Sequence, residues 1–334
     1  MSKSILVTGG CGFIGHHFVE HVLRATDWRV VVLDRLTYAS VGLDRLRDVQ
    51  AYDDRRVRVM TPNLVDPIEG ELEREIGEVE YAVHMAAETH VDNSIRAPRP
   101  FVEANVLGTL TILEWARRRE RLEKLLYFST DEVFGPAPTG TAYREWDRYH
   151  STNPYSASKA GGEELCLAWH NSFKVPVLVS HTMNVFGERQ HPEKFIPSTV
   201  RKVRRGEAVT IHADPSRTRA GSRFYIHARN VASAVMFLLE RGQPGDKYNV
   251  VGEREVDNLT LARTIAEVLG RPLHHEMVDF HSSRPGHDLR YALDGSKLAG
   301  MGWNLPRTFE RSLRQTVEWM IQPAHERWLD EASR

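Results

Sequence analysis

The chain has 334 residues, which is enough to bury a large core in one domain with two unequal lobes. Its 44 lysines and arginines balance 45 aspartates and glutamates, so no overall charge favours binding to nucleic acid or to a membrane surface. Two cysteines, Cys11 and Cys166, are too few for a disulfide framework and fit a cytoplasmic location, and the 16 histidines lack the spacing of metal ligands, so no metal site is predicted.

The first half of the chain alternates short, apolar, β-branched segments with longer amphipathic ones. The predicted strands are residues 5–8, 30–33, 57–60, 81–85, 125–129 and 177–181. The predicted helices are residues 14–25, 100–119 and 154–173. This alternation predicts an α/β fold in which helices cover both faces of a doubly wound parallel sheet. Because the first strand begins so early, we expect no signal peptide, and no later apolar run reaches membrane-spanning length.

A glycine-rich turn lies directly between the first predicted strand and the first helix. Gly9, Gly12 and Gly15 have the spacing of a dinucleotide-binding turn, which lets the backbone and the amino end of the helix approach a pyrophosphate. Asp34 ends the second strand, where a carboxylate can accept hydrogen bonds from the adenosine ribose. Since the 2′-phosphate of NADP would place negative charge beside Asp34, we predict NAD as the cofactor.

Two further groups of residues have chemistry suited to catalysis. Asp131 and Glu132 follow Thr130 at the end of an apolar strand, and two adjacent carboxylates suggest an elimination. Because neighbouring carboxyls resist simultaneous ionisation, one can stay an acid while the other acts as a base. Tyr155 and Lys159 are four residues apart on a predicted helix, so the phenol and the ammonium share one face. That pairing is typical of oxidoreductases.

The second half of the chain has shorter predicted elements than the first half. Glycines and prolines interrupt shorter elements after about residue 182, and residues 309–320 form the last predicted helix. We therefore predict a Rossmann-type NAD-binding domain at residues 1–182, which carries the catalytic residues. Residues 183–334 are predicted to form a smaller C-terminal lobe that mainly binds substrate, with the chain crossing between the two lobes.

Taken together, these residues resemble extended short-chain dehydrogenase/reductases that act on nucleotide sugars, and within them the dTDP-glucose 4,6-dehydratases. The resemblance runs almost from end to end. Besides the glycine turn, the Thr-Asp-Glu triplet and the tyrosine with its lysine, the matching segments are DRLTYA at 34–39, AAETHVD at 86–92, NVLGT at 105–109, PEKFIP at 192–197 and RPGHD at 284–288.

The resemblance implies a three-step reaction on a nucleoside-diphosphate hexose. Tyr155, assisted by Lys159, removes the proton of the sugar 4-hydroxyl while hydride passes from C4 to NAD, and Thr130 orients that hydroxyl. Glu132 then abstracts the C5 hydrogen, and protonated Asp131 gives its proton to the departing 6-hydroxyl. Return of the hydride to C6 and of a proton to C5 yields the nucleoside-diphosphate 4-keto-6-deoxyhexose and regenerates NAD.

The resemblance also implies two sets of binding residues. The cofactor-binding set is Gly9, Gly12, Phe13, Ile14, Gly15, Asp34, Arg35, Leu36, Thr37, Ala39, Ser40, Asn63, Leu64, Ala86, Ala87, Glu88, Tyr155 and Lys159. The substrate-binding set is His90, Thr130, Asn184, Lys194, Phe195, Arg223, Asn258, Arg284, His287 and Asp288. Arg223 is predicted to hold the diphosphate, since a guanidinium offers two donors to phosphate oxygens. The helices at 100–119 and 154–173 resemble the pair that forms a four-helix contact in relatives, so we expect a homodimer.

Other readings of the same residues stay open. A 4-epimerase or a UDP-glucuronate decarboxylase of this fold would share the cofactor, the tyrosine and the lysine, but neither needs Asp131 as an acid. A non-catalytic NAD-sensing protein would need only the glycine turn and Asp34. Val185 stands where the family usually has a second asparagine, Phe224 where an aspartate commonly follows the phosphate arginine, and residues 214–222 form a longer loop. These departures leave dTDP-glucose, UDP-glucose and an N-acetylated sugar as possible substrates.

Overall fold

The computed structural model describes residues 2–280 and 289–330. Its strands are β1 (Ser4–Thr8), β2 (Arg29–Leu33), β3 (Val57–Met60), β4 (Tyr81–His84), β5 (Lys124–Thr130), β6 (Val177–Thr182), β7 (Val185–Phe186), β8 (Val209–Ala213), β9 (Ser222–Phe224), β10 (Ile226–His227), β11 (Lys247–Val250), β12 (Glu255–Asp257) and β13 (His275–Asp279). Its α-helices are α1 (Phe13–Ala25), α2 (Asp44–Asp48), α3 (Gly70–Ile76), α4 (Val91–Arg96), α5 (Arg99–Val102), α6 (Gly108–Ala116), α7 (Pro154–Phe173), α8 (Phe195–Arg205), α9 (Ala228–Arg241), α10 (Asn258–Leu269), α11 (Ser296–Gly300) and α12 (Phe309–Met320).

One parallel sheet organises the larger lobe. Its seven strands run in the order β3-β2-β1-β4-β5-β6-β11. The order changes direction between β1 and β4, as in doubly wound dinucleotide-binding folds. Each of the six strands predicted from the sequence is present, with its ends within one residue of the prediction. The predicted Rossmann-type fold with a smaller C-terminal lobe is therefore confirmed.

The sheet is covered on both faces because alternate residues of a strand point to opposite sides. Ile5 and Val7 of β1 pack with α1 and α9 in one apolar cluster. Leu6, between them, belongs to a second cluster, which includes Leu113 of α6 and Cys166 of α7. All five side chains are essentially inaccessible to solvent. This burial on both faces accounts for the nearly continuous apolar sequence of each strand.

The helix predicted at 100–119 is present as one helical segment over residues 99–116, but it contains a π-helical turn and ends three residues early. The segment contains α5, a five-residue π-helix (Glu103–Leu107) and α6, and α6 ends before the three arginines. The π-helix surrounds Asn105, whose buried Nδ2 donates to the carbonyl of Glu88 at 3.0 Å and to Ser158 Oγ at 2.9 Å. A π-bulge widens the helix by one residue, and such bulges are frequent at functional sites.

Within the described residues, the smaller lobe contains short paired strands and a core enclosed by three helices. β13 pairs with β8, β12 with β9 and β10 with β7, while α8, α10 and α12 enclose an apolar core that includes Ile196, Leu261 and Leu313. Between these elements the chain returns to the large lobe, where α9 packs on α1 and β11 pairs with β6. The domain boundary at residue 182 stays a prediction. Within the described ranges, none of the helices is long and apolar enough to cross a membrane.

Candidate active site

A cavity of about 350 Å³ lies at the carboxyl ends of the central strands. Asp34 follows β2, Ala86 follows β4, Asp131 follows β5 and Asn184 follows β6, and all four line the cavity. Parallel strands present their carboxyl ends at one edge of the sheet, and ligands of doubly wound folds bind at that edge where the strand order changes direction. The topology alone therefore brings together side chains that are far apart in the sequence.

The glycine turn forms one wall of this cavity. Gly9 has φ of +72°, and a Cβ atom there would lie 2.7 Å from the Ala86 amide nitrogen. A Cβ atom on Gly15 would collide with the carbonyl oxygen of Gly9. Only glycine fits at these two positions, because the backbone after β4 lies against Gly9 and the turn itself lies against Gly15 of the first helix. The amino end of α1, which begins at Phe13, is thereby brought to the cavity wall.

The carboxylate of Asp34 accepts hydrogen bonds from two backbone amides. Its Oδ2 accepts from the Cys11 amide at 2.9 Å, and its Oδ1 accepts from the Leu36 amide at 2.9 Å. Burial raises the pKa of Asp34, although these amides oppose the shift. Leu36 has φ of +54° and packs its side chain on the large apolar core, and among the described residues it is not part of the cavity lining. Its predicted contact with the cofactor stays a prediction.

The remaining residues of the predicted cofactor set all line the cavity. At the cavity mouth, Arg35 Nη1 donates to Asn63 Oδ1 at 3.4 Å, and Arg35 Nη2 lies 3.8 Å from Glu88 Oε1. Burial raises the pKa of Glu88, and the Arg35 charge opposes that rise. Three polar side chains from three different loops thus approach one another beside the site predicted for the adenosine.

Tyr155 and Lys159 enter the cavity from the first two turns of α7. The helix begins with a capping box in which Asn153 Oδ1 accepts from the Ser156 amide at 2.9 Å, and Pro154 occupies the first turn. Lys159 is 3% exposed, and its Nζ donates to the carbonyl of Phe128 at 2.8 Å. Burial lowers the pKa of Lys159 to about 8.

The adjacent carboxyls lie at the end of β5, in a short 3₁₀-helix (Asp131–Phe134) that Thr130 caps. Thr130 Oγ1 accepts from the Glu132 amide at 3.3 Å and donates to Asp131 Oδ1 at 3.1 Å. Asp131 is 4% exposed, and its Oδ2 has no hydrogen-bond partner in the described part of the chain. Glu132 is less buried and accepts from Asn153 Nδ2 at 3.4 Å.

Burial and neighbouring charges shift the pKa values of Asp131 and Tyr155. Burial raises the pKa of Asp131 to about 7, and the neighbouring Glu132 charge adds to the rise, while Arg223 opposes it. Burial and Glu132 also raise the pKa of Tyr155, and a hydrogen bond with the Thr130 hydroxyl opposes that rise. The site therefore holds one carboxyl that is partly protonated near neutral pH next to a second, more exposed one.

The predicted substrate residues are divided between the cavity and its surroundings. His90, Thr130, Asn184 and Lys194 line the cavity. The lining within the described ranges does not include Phe195, Arg223 or Asn258. Phe195 begins α8 and packs on the core of the smaller lobe, and Asn258 Oδ1 accepts from the Tyr225 hydroxyl at 2.7 Å. Arg284, His287 and Asp288 lie outside the described residues.

Arg223 is held close to Asp131 and is not part of the cavity lining within the described ranges. Its Nη1 donates to the carbonyls of Ser222 and Leu289, each at 2.7 Å, and its guanidinium lies 4.6 Å from the centre of the Tyr291 ring. Its charge nevertheless lowers the pKa of Asp131. The diphosphate-binding role of Arg223 stays a prediction.

Several lining residues were missed in the sequence. Thr182 and Met183 follow the same rule as the predicted residues, because they lie at the carboxyl end of β6, and that rule could have identified them. Arg45 had no such signal, since its place in the wall depends on a hydrogen bond from its Nε to the carbonyl of Arg189 at 3.0 Å. The other unpredicted lining residues include Tyr38, Thr89, Gln190 and His191.

Known proteins are similar to this chain in sequence and in fold. Residues 5–251 match the family described as NAD dependent epimerase/dehydratase. The dTDP-glucose 4,6-dehydratase of Haemophilus influenzae is 34% identical over 340 residues, which cover 95% of this chain and 98% of that protein. The structure of a dTDP-glucose 4,6-dehydratase from Streptomyces venezuelae with NAD bound aligns with a TM-score of 0.86 at 33% identity, over 99% of this chain and 100% of that chain.

The same fold also occurs in enzymes with another reaction. A UDP-glucuronic acid 4-epimerase from Bacillus cereus aligns with a TM-score of 0.85 over 95% of this chain and 99% of that chain. Its identity is 22%, so this likeness shows the fold alone. The match over residues 5–251 and the 34% identity along nearly the whole chain establish the wider relationship. The chain therefore belongs to the NAD-dependent epimerase/dehydratase family, as the sequence resemblance indicated.

Proposed function

We propose that the protein is an NAD-dependent nucleotide-sugar 4,6-dehydratase, a hydro-lyase that converts a nucleoside-diphosphate hexose of the dTDP-glucose or UDP-glucose type into its 4-keto-6-deoxy derivative. One observation carries the proposal. Asp131, with a pKa raised by burial, shares a cavity with Glu132, Tyr155 and Lys159. Neither epimerisation at C4 nor decarboxylation requires a buried acid beside a second carboxyl.

The residues present fit a dinucleotide. Gly9 and Gly15 leave no room for a Cβ atom, so the turn stays tight, and both glycines and the amino end of α1 line the cavity where a pyrophosphate would bind. Asp34 is placed for the ribose hydroxyls. When bound, NAD supplies the redox chemistry by taking a hydride from C4 of the sugar and later returning it to C6.

The chain's own groups move the protons. Tyr155 accepts the proton of the 4-hydroxyl, and Lys159 favours the phenolate because its ammonium is held in the same buried region. The Thr130 hydroxyl, which contacts both Tyr155 and Asp131, orients the substrate hydroxyl. Positioned proton donors and acceptors of this kind accelerate reactions by about 10² to 10⁴-fold.

The elimination depends on the difference between the two carboxyls. Glu132, more exposed and ionised, takes the hydrogen from C5, which the 4-ketone has made acidic. Asp131 gives its proton to the oxygen leaving C6, so one water is lost and the two charges balance. The Oδ2 atom of Asp131, which has no partner within the described chain, is available to that oxygen. Placing a carboxyl whose pKa is raised beside a second carboxyl is a recurrent way to combine acid and base catalysis in one site.

The finer substrate contacts are part of this proposal. Arg223 binds the diphosphate, and its effect on the pKa of Asp131 supports a position near the sugar. Asn184 and Lys194, in the cavity wall, bind the sugar and nucleotide, and Arg284, His287 and Asp288 complete the nucleotide site. Val185 also lines the cavity, and it offers the sugar an apolar surface there.

We further propose a cytoplasmic homodimer. Val102 and Phe173 are each 48% exposed and Leu107 is 41% exposed, which supports burial of the α5-to-α6 segment and α7 in a four-helix contact. Cys11 and Cys166 are free thiols buried in the large lobe, as suits a reducing compartment.

The test is to incubate the purified protein with dTDP-glucose, UDP-glucose and UDP-N-acetylglucosamine and to analyse the products by mass spectrometry. We expect loss of one water from one of these sugars and a 4-keto product. A product of unchanged mass would indicate a 4-epimerase instead. In a separate incubation with UDP-glucuronate, loss of carbon dioxide would indicate a decarboxylase. Binding of NAD without turnover of any sugar would favour the sensing protein.

A further inference from the structure

Three acidic or basic side chains follow one another along a single face of α7. Tyr155, Lys159 and Glu163 are spaced by four residues, so they lie one above the other on consecutive turns. The proposed reaction uses the first two. Glu163 has no part in it, yet its side chain is completely buried. A carboxylate in such a place is costly unless several partners stabilise its charge.

Glu163 has those partners, and one of them belongs to the catalytic strand. Its Oε1 accepts from the hydroxyl of Ser129, and its Oε2 accepts from the hydroxyl of Tyr149 and lies 2.9 Å from His181 Nε2. Burial raises the pKa of Glu163, but His181 and these hydroxyls outweigh it, so that the pKa stays below its ordinary value. The group is therefore a carboxylate at neutral pH.

The helix consequently holds β5 at two successive residues. Lys159 Nζ donates to the carbonyl of Phe128 at 2.8 Å, and one turn later Glu163 accepts from Ser129. The next residues along the strand are Thr130 and Asp131. Two contacts immediately before the catalytic residues fix the distance between α7, which carries the phenol, and the strand end, which carries the acid.

The negative charge of the Glu163 carboxylate also acts on the pKa of Lys159. Burial lowers the pKa of Lys159, and the Glu163 charge is the largest of the influences that raise it. The titratable groups around the carboxylate are Lys159 and Cys166 of α7, Tyr127 of β5, His181 of β6, Lys247 of β11 and Tyr149 of the loop before α7. Lys247 lies 3.9 Å from Glu163, on the side of Tyr149. His84 of β4 is a further titratable group affected by the Lys159 charge.

We propose that Glu163 is a positioning residue of the active site: it holds Ser129, and with it the catalytic end of β5, and it provides the buried negative charge for the Lys159 ammonium. This inference rests on the proposed dehydratase function, in which Lys159 must be charged. The two effects of Glu163 can be separated by substitution, because one needs only the charge and the other needs the reach of the side chain.

The experiment measures kcat between pH 6 and 10 for the wild type, Glu163→Gln, Glu163→Asp and Ser129→Ala, with Glu164→Gln as the control. Glu164 is the next residue on α7 and is exposed. In Glu163→Gln the loss of negative charge lowers the pKa of Lys159, so activity falls off at a pH lower by about one unit. Glu163→Asp keeps the negative charge. Its kcat should therefore fall at the same alkaline pH as that of the wild type, so that the alkaline limb of the kcat profile is restored. Ser129→Ala lowers kcat several-fold without moving that limb.

The outcomes distinguish this inference from the proposed function. Absence of a keto product with wild-type protein would overturn the function itself. A wild-type protein that makes the product, together with a Glu163→Gln variant whose alkaline limb matches the wild type and Glu164→Gln, would overturn the role of Glu163 alone. Near-UV circular dichroism establishes that each variant is folded. If Glu163→Gln does not fold, Ser129→Ala decides, because an unchanged kcat in that variant would contradict the positioning role.

Discussion

The large lobe and the smaller lobe hold their functional side chains differently. In the large lobe, Thr130 and Asp131 end a buried strand and Tyr155 begins a capped helix, so local structure fixes each group. In the smaller lobe, Arg223 depends on the carbonyl of Leu289, 66 residues away in the sequence. Local structure thus sets the backbone at the residues predicted to be catalytic, whereas Arg223, predicted to bind the diphosphate, is held by a contact between distant segments.

We expect the largest effect on rate from substitution of Asp131, the proposed acid in the large lobe. Asp131→Asn removes the proton donor for the leaving hydroxyl but leaves Tyr155 and Lys159 in place. We expect the rate of water loss to fall by about 10² to 10³-fold. Oxidation of the bound sugar should persist and appear as NADH absorbance. Equal loss of oxidation and dehydration would contradict the separate roles of the two groups.

A smaller and different effect is expected at the arginine of the smaller lobe. Arg223→Ala removes a cation from the diphosphate, and KM for the nucleotide sugar should rise about tenfold or more. Because Arg223 lowers the pKa of Asp131, the variant should also keep Asp131 protonated to a higher pH, which moves the corresponding limb of the kcat profile upward. Arg254→Ala, at an exposed ion pair with Glu310, is the control. An unchanged KM would place the diphosphate elsewhere.

The smallest effect concerns stability rather than rate. Burial raises the pKa of Asp131 to about 7 in the folded protein, above its value in the unfolded chain. The folded state therefore binds this proton more tightly, and stability is lost as the pH rises from about 4 to about 7. Asp131→Asn carries no such charge, so at pH 8 its Tm should exceed that of the wild type by a few degrees.

The same comparison at about pH 4 provides the control for that prediction. There the carboxyl is protonated in the folded state, and the difference in Tm should shrink. A variant less stable than the wild type at pH 8 would show that Asp131 is stabilised in its charged form. If Asp131→Asn is more stable than the wild type and also loses activity, then Asp131 serves the reaction and lowers the stability of the folded protein, as is common at active sites.

Local signals in the sequence were sufficient for much of this structure. The bounds of α7 and α12 coincide with their predicted ranges, because a cap and an amphipathic pattern define them within a few residues. The glycine turn was equally clear, since its positions are adjacent in the chain. The π-helix around Asn105 was not predicted, because it depends on contacts with Glu88 and Ser158.

Long-range contacts explain the remaining misses at the site. The partners of Glu163 come from β5, β6 and the loop before α7, and no pattern within one segment of the sequence joins them. Leu36 has a left-handed backbone that presents its amide to Asp34 and its side chain to the core, and its contact with the cofactor stays a prediction. Residue type identified the groups capable of chemistry, and only the packing showed which of them meet.

The path of the chain through β11 and α9 has a practical consequence. A fragment ending at residue 182 would lack the strand that pairs with β6 and the helix that covers α1, leaving a bare sheet edge and an uncovered apolar face. We expect such a fragment to aggregate. To exchange substrate specificity between relatives, loops of the smaller lobe, such as residues 214–221, should therefore be grafted. The segment that contains α9 and β11 should be retained, because it packs on the large lobe.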